Sequence, residues 1–506
     1  MRSTTSQRQH RVPQVSLLRP GQLPLLLAAG TVILLAGCKP VGPNYNRPAY
    51  QPPAAYKETG ATAVVPPPNP QGGTWQPASP SDGMLRGKWW EIYNDPQLNR
   101  LEDLIATNNQ SLRSAVETYL AVRDQVTATR AQLYPTLSAG AAYTHNKLSE
   151  HRPLAPAGGL SQYNDLILAG QATWEPDFFG RVRRSIEAAR AGAQASAADI
   201  ATVDLALHAE MASTYFSLRG LDSQTRLLQA TVTALEQQLA LTHHLLDGGV
   251  ATAADVAQAR TQLETVRAQL VDVGVARAQY EHAIGALANL DLSTFSIPPS
   301  PLDAALPKVP LGVPSQLLER RPDIAAAERR TAAANAQIGI AISAFYPNII
   351  LGGAGGFEST HGGTWIQGPS SLWSLGAQAT ELLFDAGQRR ALTSQARHAY
   401  EAQAAAYRET VITAFQDVED QLSGLRILEH ESTVEQQAVA AAQQSFDLSN
   451  QRYKGGVTSY LEVLTAEDAL LQNQRTAIDL ETRQFVSSVA LVRALGGGWD
   501  TTQLPR

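Results

Sequence analysis

The chain has 506 residues, of which 44% are hydrophobic, so it is long enough to bury a large core. Its 40 Lys and Arg residues and 46 Asp and Glu residues give a formal net charge of −6, which argues against a nucleic-acid partner. The single cysteine excludes an internal disulfide bond and a cysteine cluster that would hold a metal.

Residues 1–37 have the pattern of a secretory signal peptide: four arginines and no acid, followed by an apolar run at Leu23–Gly37. The run ends in LAGC at Cys38, which resembles the lipobox of bacterial lipoproteins. The resemblance implies that Cys38 becomes the acylated N-terminus, with palmitate as one expected acyl chain. It also implies that Lys39 directs the lipoprotein to the outer membrane. A free thiol behind an ordinary signal peptide is the alternative.

Residues 38–84 are rich in Pro, Gly and Ala, a composition that disfavours helices and favours extended chain. We expect this segment to be a tether between the lipid and the body of the protein.

Most of the remaining chain is a duplication. Leu112–Pro135 lies over Ile324–Pro347 at an offset of 212 residues, and Gly180 falls on Gly387 at an offset of 207. The change of five predicts a longer, exposed loop in the first copy, between residues 140 and 180. We therefore divide the chain into a first repeat (85–290), an inter-repeat linker (291–320), a second repeat (321–499) and a C-terminal tail (500–506).

Each repeat is predicted to begin with one helix and two strands. In the first copy a 3.6-residue apolar period begins at Leu101, and the helix ends before Pro135 because proline disfavours helix in the residue preceding it. Alternating segments then predict two β-hairpins, with strands at 136–145, 165–176, 348–357 and 372–384. Loops at about 146–163 and 358–370 join the strands of each hairpin.

Each repeat is predicted to end in a long helical hairpin. Proline is absent from Asp177 to Ile297 and from Ser370 to Leu504, and both runs consist mostly of good helix formers. A helix from about Arg181 to Leu246 would be ~100 Å long at a rise of 1.5 Å per residue. A returning helix completes each hairpin.

The turns of these hairpins carry matching motifs. Glycine ends the outgoing helix because it accepts the left-handed conformation. A hydroxyl followed three residues later by an acid has the spacing of a capping box, which starts the returning helix. The residues are Gly248, Gly249, Val250, Thr252 and Asp255 in the first copy and Gly455, Gly456, Val457, Ser459 and Glu462 in the second.

Four strands are too few to close a membrane barrel. An open sheet edge in lipid leaves backbone groups unsatisfied, so several chains must share one barrel if these strands cross a membrane. A lipid-anchored periplasmic coiled-coil scaffold is the alternative from a different class. It accounts for the lipobox and the helices but not for four alternating segments.

The chain resembles the outer membrane factors of the TolC-like, NodT-type lipoprotein family. The resemblance rests on WWEIYNDPQLNRLEDLIATNNQSLRSA after the tether, on RRPDI, FYP and FDAGQRR in the second copy, on both GGV turns and on the terminal LGGGW. It covers residues 38–499. It implies a mainly α fold with membrane β, in which three chains of four strands form a 12-stranded β-barrel continued by a 12-helix periplasmic α-barrel. Residues 85–100, 290–320 and about 425–440 would form a belt around the helices.

The resemblance also implies a function without catalysis and without a cofactor. A homotrimer of this family is the outer-membrane exit duct of a tripartite efflux system. It exports small toxic compounds or drugs received from a periplasmic adaptor protein and an inner-membrane transporter of the RND type. Secretion of polypeptides or polysaccharide by the same fold is the alternative.

Two kinds of site follow from the resemblance. Acidic residues after the second hairpin turn constrict the periplasmic end of family channels, and the matching positions are Glu462 and Thr465, where threonine departs from the acid common in the family. Residues 248–250 and 455–457 match the turns at which the adaptor docks. Asp255 is expected only to cap its helix, and none of the 10 histidines lies in a metal-binding motif.

Overall fold

The computed structural model describes residues 39–53, 55–59, 87–149, 162–309 and 316–505. The predicted signal peptide and Cys38 lie outside these ranges. The described residues divide into two compact units, one within Met1–Pro43, Gln132–Arg184 and Gly339–Arg389, the other within Asn44–Ala131, Ser185–Ile338 and Arg390–Arg506. Each unit draws on both repeats, so units and repeats are different divisions of the chain.

The first unit contains one antiparallel sheet in the order β1-β2-β3-β4. Its strands are β1 (Thr136–Lys147), β2 (Gln162–Trp174), β3 (Asn348–Ser359) and β4 (Ser371–Thr380). The two predicted hairpins are confirmed, and β2 also pairs with β3, which joins them. Among the described residues, β1 and β4 each have one neighbouring strand.

The five extra residues of the first copy are spread over three places. The β1–β2 connection is three residues longer than the β3–β4 connection, and β2 is three residues longer than β4. The segment that follows β2 is one residue shorter than the segment that follows β4. The expectation of a single longer loop is therefore wrong, because part of the difference extends a strand.

One face of the sheet is apolar and exposed. The strand register places on this face Leu137, Tyr143, Leu166, Leu168, Phe357, Trp373 and Leu375. Leu137, Trp373 and Leu375 are 82%, 77% and 80% exposed in this chain. The opposite face carries mostly small and polar residues such as Ser138 and Gln171, with Ile167, Ile350 and Leu372 as large apolar exceptions. An exposed apolar patch of this kind marks a surface that contacts a membrane or another protein.

The helices are α1 (Pro96–Asn108), α2 (Gln110–Ala131), α3 (Arg181–Asp247), α4 (Ala253–Leu287), α5 (Leu317–Arg320), α6 (Pro322–Ser343), α7 (Gln388–Lys454) and α8 (Tyr460–Ala494). The predicted helical hairpins are confirmed as α3–α4 and α7–α8, with 67 and 35 residues in each pair. Residues 425–440 lie inside α7 and are not a separate segment. No helix in the described part of the chain is long and apolar enough to cross a membrane.

The single helix predicted at the start of the first repeat is instead two helices. Asn109, between α1 and α2, has an extended backbone with φ −66° and ψ 124°. Its side-chain oxygen accepts hydrogen bonds from the N–H groups of Ser111 and Leu112 (2.9 and 3.1 Å) and thereby caps α2. Its amide donates to the carbonyl of Leu287 at the end of α4 (2.8 Å). Periodicity in the sequence cannot reveal such a distant contact.

Buried apolar side chains pack the helices of the second unit in separate clusters. The largest surrounds the aromatic residues Trp89, Trp90, Tyr93, Phe216 and Phe485. Two smaller clusters lie along the hairpins. The shaft cluster is Leu228, Leu235, Leu263, Val266, Val273 and Leu471. The end cluster, nearer the turns, is Ala259, Tyr453, Tyr460 and Val463.

The described residues of 44–59, here called the strap, have no α-helix or strand, end in a short 3-10 helix (Lys57–Thr59) and contact helices of the second unit. The Tyr45 hydroxyl donates to the Glu328 carboxylate on α6 (2.6 Å). Tyr50 stacks on Phe415 of α7 with ring centroids 5.9 Å apart, and Tyr56 is 3% exposed. The expectation of a tether is therefore incomplete, because aromatic side chains of this segment bury themselves against the helices.

Candidate functional site

The first hairpin turns through a Schellman motif. The N–H of Val250 donates to the carbonyl of Leu245 (2.8 Å), and the N–H of Gly249 donates to the carbonyl of Leu246 (2.9 Å). Gly249 has φ +73°, a left-handed conformation that glycine adopts without steric cost. Gly248 and Gly249 were both predicted to end this helix. It is Gly249 that adopts the left-handed conformation at which the chain direction changes.

The second hairpin repeats this geometry. The N–H of Val457 donates to the carbonyl of Arg452 and the N–H of Gly456 to that of Tyr453, both at 2.9 Å. Gly456 has φ +71°. The valines that follow the glycines, Val250 and Val457, are 64% and 71% exposed. Each turn thus presents one apolar side chain on a backbone fixed by hydrogen bonds.

The two returning helices start differently. The Thr252 hydroxyl accepts from the N–H of Asp255 (3.3 Å), and the Asp255 carboxylate accepts from the N–H of Thr252 (2.7 Å), which confirms the first capping box. Ser459 has the extended backbone of an N-cap, but its side chain makes no capping hydrogen bond. The capping box predicted for the second copy is therefore wrong. The Glu462 carboxylate lies instead 3.8 Å from the guanidinium of Arg452.

The two predicted constriction residues lie one turn apart on α8 and are both exposed. The side chain of Glu462 is 53% exposed, and that of Arg452 is 59% exposed. The Thr465 hydroxyl donates to the carbonyl of Leu461 (2.9 Å), so it adds no charge beside Glu462. Glu462 therefore has an arginine beside it and no second carboxylate at position 465.

A buried carboxylate that the sequence analysis missed lies on the other side of α8. Glu467 is 7% exposed, and its Oε2 has no hydrogen-bond partner among the described residues. Val463 precedes it by one turn and Leu471 follows it by one turn, and both are buried. An acid at an apolar position of a 3.6-residue period is the signal that could have identified it.

A buried charge network, also missed, fixes the linker between the repeats. The Asp222 carboxylate accepts hydrogen bonds from Arg219 (3.0 Å), Arg277 (2.7 Å) and the N–H of Ser300 (3.0 Å). Arg277 also donates to the carbonyl of Ile297 (2.7 Å). These bonds tie the start of the linker to α3 and α4, so the network has a structural role.

A second buried pair joins α1 to α3. His208 Nδ1 lies 2.6 Å from the Glu102 carboxylate, and its Nε2 lies 3.4 Å from Asp204. The Trp90 ring stacks on the imidazole at a centroid distance of 4.2 Å. Burial alone lowers the pKa of His208, but hydrogen bonds to Asp204 and Glu102 outweigh burial and raise the pKa to about 9. His208 is therefore an imidazolium that donates from both nitrogens.

Within the described residues, no group of three or more His, Cys, Asp or Glu side chains is placed to hold a metal ion. The predicted lipidation site, Cys38, lies outside these residues.

The fold and the site define a class of protein. An exposed apolar sheet, joined in sequence to two helical hairpins with structured turns, is the architecture of an outer-membrane channel with a helical extension.

Comparison with known proteins agrees with this class. The family model described as outer membrane efflux protein matches residues 101–290 and 313–497. The chain is 32% identical to the probable efflux pump outer membrane protein TtgC of Pseudomonas putida, over 94% of this chain and 96% of that protein. It is 33% identical to the outer membrane protein OprJ of Pseudomonas aeruginosa, over the same shares of the two chains.

Solved structures show the same fold. The outer-membrane channel OprN superposes with a TM-score of 0.80 at 27% identity, over 91% of this chain and 99% of that one. The open-state MtrE channel of Neisseria gonorrhoeae gives a TM-score of 0.76 at 28% identity, over 92% and 99%. The chain belongs to the outer membrane efflux protein family.

Proposed function

We propose that this protein is the outer-membrane exit duct of a tripartite efflux system and that it assembles as a homotrimer. The observation that carries the proposal is the four-stranded sheet with one exposed apolar face and two edge strands. Unpaired edges are not tolerated in lipid. Three copies in which β4 of one chain pairs with β1 of the next close a 12-stranded barrel and leave no edge.

The proposal includes a lipid anchor at Cys38 and the division into repeats at 85–290 and 321–499 with a linker at 291–320. Near the anchor, the N–H of Val41 donates to the carbonyl of Phe179 (3.1 Å). Three residues span at most about 11 Å of extended chain. An acyl chain on Cys38 would thus enter the membrane close to the end of β2, which supports anchoring at the level of the sheet.

The proposed partners are a periplasmic adaptor protein and an inner-membrane transporter of the RND type. The two hairpin turns support adaptor docking, because Val250 and Val457 present exposed apolar side chains on matching Schellman motifs. Within a trimer, six such turns would offer a repeated surface to a helical partner. No catalytic step and no cofactor are assigned to this chain.

The proposed cargo is small toxic compounds or drugs. Relatives of this chain are named as toluene, solvent and antibiotic efflux pump outer membrane proteins. These names favour small molecules over the alternative cargoes, polypeptides and polysaccharide. A periplasmic scaffold, the alternative from another class, offers no reason for a sheet whose apolar face is exposed.

Deletion of the gene tests the proposed function. We expect the deletion strain to become several-fold more sensitive to organic solvents or antibiotics, and the wild-type gene to restore resistance. An epitope inserted between β3 and β4, at residues 360–370, should be labelled on intact cells. Unchanged sensitivity to all compounds, with labelling only after the outer membrane is permeabilised, would contradict the exit duct and support the scaffold.

A further inference from the structure

Glu467 lies in a largely buried layer between two apolar clusters. On α8 it follows Val463 of the end cluster by one turn and precedes Leu471 of the shaft cluster by one turn. Its neighbours Ala466 and Leu470 are each 8% exposed, whereas Asp468 points outward and is exposed. The side chain therefore lies on the buried face of α8, whose neighbours are α3 and α4 in the shaft cluster and Ala259 of α4 and Tyr453 of α7 in the end cluster.

Polar groups at this layer do not neutralise the carboxylate. Oε2 of Glu467 has no hydrogen-bond partner among the described residues. The same holds for the hydroxyl of Tyr460, a residue that is 0% exposed. A buried polar atom without a partner costs free energy comparable to a lost hydrogen bond, and an unpaired buried charge costs more.

The ionisable groups around this layer lie on three of the four helices that surround it. They are Tyr460 and Asp468 on α8, Tyr453 at the end of α7 and Asp255 at the start of α4. The fourth helix, α3, contributes Thr242, which does not titrate. Within the described chain, no cationic side chain stabilises the ionised form of Glu467. Protonation is therefore the way in which the charge of this buried carboxylate can be removed.

We propose that Glu467 is a proton-controlled latch at the end of the second hairpin. With the proton bound, the neutral side chain stays buried and α8 packs against α3 and α4. Without the proton, the carboxylate must reach water, so this packing loosens. The claim that the loosened state opens a duct rests on the proposed function. The claim that protonation of Glu467 controls the packing of α8 does not.

The direction of the pH effect follows from burial. Burial and, to a smaller extent, the nearby Asp468 carboxylate together raise the pKa of Glu467 from 4.5 to about 7. The packed state therefore binds the proton more tightly than a hydrated state. Packing is strongest at low pH and weakens as the pH rises from about 4.5 to about 7.

Hydrogen exchange of the full-length protein in detergent measures the latch directly. After correction for the intrinsic exchange rate, amide protection at 460–471 in the wild type should fall about tenfold per pH unit up to pH 7, and by about 300-fold in total. E467Q, which cannot ionise, should show high protection that does not change with pH. D479N, an exposed carboxylate variant on the same helix, should behave like the wild type.

Two results would overturn the latch: protection in the wild type that does not depend on pH, or an equal slope in E467Q. If E467Q does not fold, Glu467→Leu replaces it, because a layer flanked by buried apolar residues accommodates an apolar side chain.

Bilayer recordings separate the latch from the proposed function. Open probability of the wild type should rise with pH, and that of E467Q should stay low. A wild type without conductance at any pH, but with the predicted exchange slope, would contradict the exit duct and leave the latch standing.

Discussion

Thr252 and Ser459 occupy equivalent positions after the two turns, yet only Thr252 closes a capping box. Both are followed three residues later by an acid, so spacing alone predicts the same cap. In the second copy the carboxylate of Glu462 is turned toward Arg452, for which the first copy has no arginine at the equivalent residue, Leu245. With Arg452 beside it, the Glu462 carboxylate forms an ion pair instead of the capping hydrogen bond that Asp255 forms in the first copy.

The capping difference predicts unequal effects of two matched substitutions. Thr252→Ala should destabilise the start of α4 by about 1 kcal/mol, because it removes a hydrogen bond to the first turn. Ser459→Ala should destabilise the start of α8 by only a few tenths of a kcal/mol, because the Ser459 side chain makes no capping hydrogen bond. Hydrogen exchange of the first-turn amides of α4 and α8 measures both effects. Equal losses in the two variants would contradict the assignment.

The raised pKa of His208 predicts how the free energy of unfolding depends on pH. Its pKa is raised from 6.5 to about 9, so its contribution is complete below pH 6.5 and is lost as the pH rises through 9. The denaturant midpoint of the wild type should therefore fall between pH 6.5 and pH 9. His208→Gln should be less stable by about 2 kcal/mol at pH 6, since it removes the charge-assisted contacts to Glu102 and Asp204, and its profile between pH 6.5 and pH 9 should be flatter. A flat wild-type profile would contradict the charged pair.

At the scale of elements, local patterns in the sequence predicted most of the fold. The absence of proline located α3 to within one residue at each end, and alternation located all four strands to within three or four residues. The break at Asn109 was not predictable, because it depends on a bond to Leu287. Among the site residues, glycine spacing identified the turns, whereas the burial of Glu467 became clear only once α8 was packed.

The strap was predicted as extended chain, but its docking was not, because its aromatic residues meet partners more than 280 residues away. Tyr56 is 3% exposed and packs in the cluster that contains Phe415. Tyr56→Ala should lower the free energy of unfolding by about 3 kcal/mol and make the strap sensitive to protease.

Lys57→Ala is the control for the strap, because the side chain of Lys57 is 88% exposed. It should change stability by less than about 0.5 kcal/mol. Thermal unfolding and limited proteolysis of the full chain check both variants. Equal protease resistance of Tyr56→Ala and the wild type would show that the strap is held by other contacts.

At the scale of the assembled molecule, Glu462 gives a test of the proposed constriction. A ring of three carboxylates would attract cations, repel anions and bind divalent ions. Glu462→Gln should therefore reduce cation selectivity and block by divalent ions in planar bilayers while trimer stability changes little. Asp255→Asn, in the first capping box, should leave selectivity unchanged. If Glu462→Gln also leaves it unchanged, Glu462 is only a surface residue of α8.

The pairing of β2 with β3 has a consequence for the timing of folding. Trp174 pairs with Leu351 and Leu166 with Ser359, so all of α3 and α4 is synthesised between the two strands. Between the end of β2 and the end of β3 lie 185 residues. Until β3 is in place, β2 has an open edge, which is a template for incorrect pairing, and strand pairing across such a separation is slow. Docking of the second hairpin therefore limits the rate at which the sheet is completed.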